Sequence, residues 1–120
     1  MPKVDRKLIA KKADIVADLK KIIDIKNILH HEDETRPFET DALSAYKQKP
    51  LVVVYPENTK EVSNILAYCN QNRIKVVPRG SGTGLSGGAL PLADCVLMCL
   101  GKFNKIINID YKNRCVVAQP

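Results

Sequence analysis

The sequence has no tryptophan, and aromatic residues make up only 5% of it. Proteins that bind single-stranded nucleic acid stack its bases on aromatic platforms. That function is poorly supported, and nucleic acid is not an expected partner. No apolar run reaches the roughly 18 residues that a transmembrane helix needs. Six glycines and seven prolines are too few for a collagen-like or Pro/Gly linker protein. The N-terminus lacks the apolar stretch of a targeting signal, because Lys11, Lys12 and Asp14 interrupt it. The four cysteines, Cys69, Cys95, Cys99 and Cys115, never form Cys-x-x-Cys. They argue against a zinc site or a disulfide framework and are expected to be small buried hydrophobes in a reducing compartment.

What is present suits one small domain. The chain has 120 residues, 45% of them hydrophobic, and a net charge of +6. Much of the positive excess lies early: Lys3 to Lys26 holds eight basic and four acidic residues. Such an excess attracts nucleic acid or an anionic membrane surface when it forms a site. Its plain reading is the solvated face of a helix.

The chain divides into an N-terminal helical segment, residues 1–48, and an α/β segment, residues 49–120. In the first, Leu8, Ile15, Val16, Leu19, Ile22 and Ile23 recur at helical spacing and predict one amphipathic helix. The stretch from His30 to Pro37 breaks it. Adjacent His30 and His31 point in different directions, so no metal is expected there. In the second segment, Leu51–Tyr55 reads as a buried strand. Asn58 and Glu61 form the signature of a capping box. Val62, Ile65, Leu66 and Cys69 follow as a helical stripe, and Ile74–Val77 is a second strand. Together they predict a right-handed βαβ unit with parallel strands. Three more strands are expected at Cys95–Leu100, Ile106–Ile109 and Cys115–Ala118, the last two joined by a turn at Tyr111–Arg114.

Between the second and third strands lies Pro78-Arg79-Gly80-Ser81-Gly82-Thr83-Gly84-Leu85-Ser86-Gly87-Gly88, with five of the six glycines. Glycine permits positive φ and close backbone approach. Alternating glycines can turn successive N–H groups toward one point, a nest suited to phosphate. Ser81, Thr83 and Ser86 add hydroxyls, and Arg79 adds a charge. Gly82 to Gly87 satisfies G-x-G-x-x-G literally, but a dinucleotide fingerprint should open a helix. Here only a few residues, Pro91 among them, precede the next strand. No Lys-Ser or Lys-Thr follows Gly88, so a Walker A loop also fails. What remains is a phosphate cradle of loop amides between two strands.

The stretch Pro78 to Ala89 resembles the pyrophosphate loop of FAD-linked oxidases with a PCMH-type (vanillyl-alcohol-oxidase-like) FAD-binding domain. Pro50–Pro56 with Glu61-Val62 looks like that domain's opening strand and helix. Asp41–Tyr46 and Phe103–Ile106 are similar to the group containing the glycolate oxidase D subunit and its relatives acting on D-lactate or D-2-hydroxyglutarate. The resemblance implies an α+β fold: an N-terminal helical segment, then the first α/β subdomain of a PCMH-type FAD-binding domain, incomplete at its C-terminal end. It implies FAD, with Arg79, Gly80, Ser81, Gly82, Thr83, Gly84, Gly87 and Gly88 at the diphosphate. Thr83 stands where some relatives carry a histidine that holds FAD covalently, so non-covalent binding is expected. The implied activity is oxidation of a D-2-hydroxy acid to the 2-oxo acid. Family members run to several hundred residues, so this stretch is expected to be inactive alone, as a cut-down or incomplete gene product in preference to the first piece of a split protein or a degenerate remnant. Its partners would be FAD, the hydroxy acid through the missing C-terminal part, and other subunits of an oxidase complex. The expected location is the cytoplasm, including the inner face of a membrane. No catalytic or metal-ligating residue is assigned. A non-enzymatic basic module binding nucleotide or nucleic acid is the alternative.

Overall fold

The computed structural model describes residues 3–120. Where the apolar periodicity predicts one N-terminal helix, the chain forms two, α1 (Arg6–Ala10) and α2 (Lys12–Leu19), broken at Lys11. Asp5 caps α1: its Oδ1 accepts from the N–H groups of Lys7 and Leu8 at 2.9 and 3.2 Å. The Asp5 N–H donates to Asp94 Oδ2 at 2.7 Å, which pins α1 to a distant part of the chain. Meanwhile α2 buries Ile15, Val16 and Leu19. The kink at Lys11 lets the two helices meet these different anchors. Ile22 and Ile23 lie past the end of α2, where both N–H groups bond back to the Leu19 carbonyl at 3.0 Å.

The chain continues through β1 (Ile28–Leu29), α3 (Glu32–Thr35), β2 (Val52–Val54), α4 (Thr59–Gln71), β3 (Lys75–Arg79), β4 (Cys95–Cys99), β5 (Ile106–Asp110) and β6 (Cys115–Ala118). Four strands form a sheet in the order β1-β2-β4-β3. β2 and β3 each pair parallel with β4, and β1 is an antiparallel edge. The predicted βαβ unit therefore runs in the expected direction, but β4 is inserted between its two strands. β3 also extends through Pro78 and Arg79. A proline is tolerated there because β3 is an edge strand, whose outer N–H positions need no ladder partner.

Alternation along the strands sorts side chains into two layers. Val52, Val54, Val96 and Met98 face one side and pack with Ile15, Val16 and Leu19 of α2 and Ile65 and Cys69 of α4. Val53, Val77, Cys95, Leu97 and Cys99 face the other, against Leu29, Phe38, Tyr55 and Leu92. The N-terminal helices and the α/β segment thus share one core layer. α4 starts at the predicted cap Asn58, but Glu61 reaches back to the Glu57 N–H rather than to the Asn58 N–H that a capping box uses. Asn58 Oδ1 accepts from the Glu61 N–H at 3.0 Å, and the Glu61 carboxylate accepts from the Glu57 N–H at 2.7 Å. Its stripe is narrower than predicted. Leu66, one residue round the helix from buried Ile65, is 45% exposed.

β5 and β6 form a separate antiparallel hairpin. It corrects one expectation: Cys69, Cys95 and Cys99 are buried, but Cys115, which opens β6, is exposed. Among the described residues the hairpin is left largely uncovered, so an apolar strand pattern there does not mean burial.

Candidate cofactor site

The glycine-rich loop leaves the carboxyl end of β3. The parallel orientation of β2, β3 and β4 places the N-terminus of α4 and the exit of β4 at the same end of the sheet. In open α/β sheets this end is where ligands bind. The loop is seated at its base by Arg79, whose carbonyl accepts from the Leu100 N–H at 2.8 Å. It is tied at two further points. The Gly82 carbonyl accepts from the Ala42 N–H at 2.9 Å, and the Gly87 carbonyl from the Leu90 N–H at 3.2 Å.

The N–H groups point elsewhere. Among the described residues, none from Ser81 to Gly88 donates to an acceptor of the chain. Ser81, Thr83, Gly84, Leu85, Ser86 and Gly88 are exposed. Ser81 Oγ and Thr83 Oγ1 lie 3.5 Å apart on the same stretch. Gly82 and Gly87 have φ of +72° and +75°, the left-handed region that disfavours other residues. Left-handed turns of this kind are one ingredient of an anion nest, in which neighbouring amides converge on one point.

The other glycines are informative for a different reason. A Cβ at Gly80, Gly84 or Gly88 would meet nothing within 4 Å, and none of the three has positive φ. Nothing inside the chain requires glycine there. Gly101, just after β4, is equally open, so the space at Gly80, Gly84 and Gly88 permits close approach of something outside the chain without by itself requiring it. Unpartnered amides, open glycines and neighbouring hydroxyls fit a diphosphate.

Arg79 is placed differently from a free cation at the rim. Its Nη1 donates to the Thr40 carbonyl at 2.8 Å, and its Cζ lies 5.8 Å from the centroid of the Phe38 ring. The guanidinium lies against Gly82, where a Cβ would come within 2.5 Å of Nη2. The Tyr55 hydroxyl and the Cys99 thiol, at the same end of the sheet, are neutral at pH 7. Burial, with Cys99 beside it, pushes the Tyr55 hydroxyl up to about 12, and burial also raises the Cys99 thiol. Asp41 is buried. Its Oδ1 accepts from the Leu43 N–H at 2.9 Å and its Oδ2 has no hydrogen-bond partner.

Sequence reasoning from spacing alone missed this support, from Phe38 to Leu43, because it lies about forty residues upstream in an irregular segment. The Asp41–Tyr46 match to the family was the one signal that marked it. Against the expectation that they diverge, His30 and His31 pack on each other, with ring centroids 4.2 Å apart, and Lys12 and Lys20 lie near His30. No cluster among the described residues is suited to a metal, and no helix there is long and apolar enough to cross a membrane.

A family described as an FAD binding domain matches residues 50–120, more than half of the chain. The chain belongs to this FAD-binding domain family. FAD is the cofactor of that domain, and the α+β class follows. The chain is 42% identical over all 120 residues to glycolate oxidase subunit GlcD of Escherichia coli K12, covering 23% of that protein. It is 36% identical over 104 residues to the mitochondrial D-2-hydroxyglutarate dehydrogenase of Arabidopsis thaliana, covering 87% of this chain and 19% of that one. The chain thus spans about a fifth of the length of these relatives. In fold, the FAD-binding domain is similar to 4-ethylphenol oxidase from Gulosibacter chungangensis, with a TM-score of 0.72 at 22% identity over 91% of this chain and 21% of that one. Substrate-bound p-cresol methylhydroxylase scores 0.68 at 20% identity, over the same shares.

Proposed function

We propose that the loop from Arg79 to Gly88 receives the diphosphate of non-covalently bound FAD in a flavoprotein that oxidises a D-2-hydroxy acid of the glycolate or D-lactate type to the 2-oxo acid. The observation that carries the diphosphate assignment is the pairing of unpartnered amides with glycines at 80, 84 and 88 that internal packing does not require. Bound FAD supplies a ring that accepts hydride. The chain's own part is to hold and orient. The N–H groups of Ser81 to Gly88 present fixed dipoles to the two phosphates, with Ser81 and Thr83 as hydroxyl donors. Gly80, Gly84 and Gly88 let the backbone approach without a Cβ between. Gly82 and Gly87 set the turns. The relatives' names support the hydroxy-acid class, and the residues that orient such a substrate belong outside this stretch. Other subunits of an oxidase complex, and a location in the cytoplasm or at a membrane's inner face, are part of the same proposal.

The test separates cofactor from substrate. Gly84→Val is expected to leave the melting temperature within about 2 °C, since the site is open, and to weaken FAD binding at least a hundredfold. Retained affinity in a folded Gly84→Val protein would remove the loop from the site. Anaerobic glycolate or D-lactate should bleach the FAD-loaded protein while L-lactate does not. Bleaching by neither D-acid would discard the substrate class and leave the cofactor assignment standing.

A further inference from the structure

Four observations meet at the Arg79 side chain. Its guanidinium donates to the Thr40 carbonyl at 2.8 Å. It lies 5.8 Å from the Phe38 ring, in cation–π range. It occupies the space into which a Cβ at Gly82 would project, 2.5 Å from Nη2. Two residues past Thr40, the Ala42 N–H holds the carbonyl of that same Gly82 at 2.9 Å. The planar fork thus joins two stretches of chain about forty residues apart, the strap Phe38–Leu43 and the turn at Gly82. The strap holds its own shape through Asp41, whose Oδ1 takes the Leu43 N–H at 2.9 Å. Leu43 in turn comes within van der Waals reach of the second turn, with Cδ2 3.7 Å from a Cβ built at Gly87.

We propose that Arg79 is a positioning residue that locks the strap to the glycine loop, setting the Gly82 turn before the cofactor arrives. The proposal rests on the loop being the diphosphate site. It differs from the expectation that Arg79 offers its charge to the phosphates. The guanidinium's hydrogen bond and its stacking are directed at the strap, and its body lies beneath the turn. Loss of the lock frees the strap and lets the amides of Ser81 to Gly84 sample other directions, so FAD must then order them on binding. Lysine keeps the charge but has neither the planar face for Phe38 nor the fork.

The lock makes Gly82 and Arg79 energetically one unit. A methyl at Gly82 displaces the guanidinium, so Gly82→Ala already removes most of what Arg79→Ala removes. Affinity for FAD is measured on the full protein for Arg79→Ala, Arg79→Lys, Gly82→Ala and the double variant Arg79→Ala/Gly82→Ala. Hydrogen exchange at the Ala42 amide is measured without FAD. Thermal melting checks that each variant folds. The expected results are an affinity loss of about tenfold for Arg79→Ala, no rescue by lysine, and a double variant no weaker than the weaker single one. Exchange at Ala42 should rise at least tenfold in Arg79→Ala. Rescue by lysine, additive losses in the double variant, or unchanged exchange at Ala42 would each overturn the lock and return Arg79 to a direct phosphate contact. If the parent protein takes up no FAD while Arg79→Ala still speeds exchange at Ala42, the lock stands and the diphosphate reading falls.

Discussion

Cys95–Cys99, sequence Cys-Val-Leu-Met-Cys, is buried along its whole length. In the hairpin, Ile106, Ile107, Ile109, Val116 and Val117 are 45% to 66% exposed. Both regions are apolar strands. What differs is their neighbours. β4 has a parallel strand on each side and a layer of side chains over each face. β5 and β6 have only each other. Apolar β sequence therefore specifies extended backbone, and burial is added by layers that no local pattern describes.

The largest test of this contrast removes one side chain from each region. Leu97→Ala is expected to lower the unfolding free energy by about 2–5 kcal/mol, because Leu97 is completely buried between close-packed neighbours. Val116→Ala, at an exposed site, should change it by less than about 0.5 kcal/mol. Urea denaturation reads both. Equal losses would mean that the hairpin is packed as tightly as the sheet.

A second test uses two aspartates. Asp94 is buried just before β4, and Asp110 ends β5 half-buried. Burial raises the Asp94 carboxyl. The bond from the Lys75 ammonium at 2.7 Å, with the Asp5 N–H, outweighs it and holds the group below the usual carboxylate range. Hydrogen bonds from Asn113 also lower Asp110. A carboxylate with a depressed folded pKa stabilises the fold above its unfolded value, about 3.9. That stability is lost as pH falls through the folded value. Asp94→Asn should cost about 1–3 kcal/mol at pH 7 and flatten the loss of stability below pH 4. Asp110→Asn should flatten the acid limb in the same direction but by less, because its carboxyl is lowered only by the local hydrogen bonds from Asn113 in a solvent-screened turn. Matching acid limbs for Asp94→Asn and the parent would show that the Lys75–Asp94 ion pair does not stabilise the fold through the carboxylate's charge.

The smallest effect is at the cysteines. Burial pushes the Cys69 and Cys95 thiols up to about 11, while Cys115 is exposed. One thiol should therefore label at once in the native protein, with the others following only on unfolding. Cys115→Ser should change stability by less than about 0.5 kcal/mol. Fast labelling of two or more thiols would weaken the contrast between the regions.

Much of the fold is legible in the residues. Val52–Val54, the α4 cap at Asn58 and the hairpin turn at Tyr111–Arg114 are local signals; local hydrogen bonding realises the cap and the turn, while the strand takes its ladders from β1 and β4. The features that escape sequence reasoning depend on distant partners. The break at Lys11 depends on Asp5 reaching Asp94. β1 is two residues long and exists because it pairs with β2. The position of β4 between β2 and β3 is a matter of topology that periodicity does not encode. The same division holds within the candidate site. Glycine content marks the loop, but Arg79 looks like a free cation until Phe38 and Thr40 are seen beside it. Gly80, Gly84 and Gly88 become distinguishable from Gly82 and Gly87 only when backbone angles and surrounding space are known.

The central claim is that the amides of one loop receive the FAD diphosphate. Amide chemical shifts of the isotopically labelled 120-residue chain, followed by NMR as FAD is added, test it residue by residue. The account predicts saturable shifts concentrated at Ser81 to Gly88, with small changes in the hairpin. Saturable FAD binding that moves other amides and leaves Ser81 to Gly88 in place would contradict it.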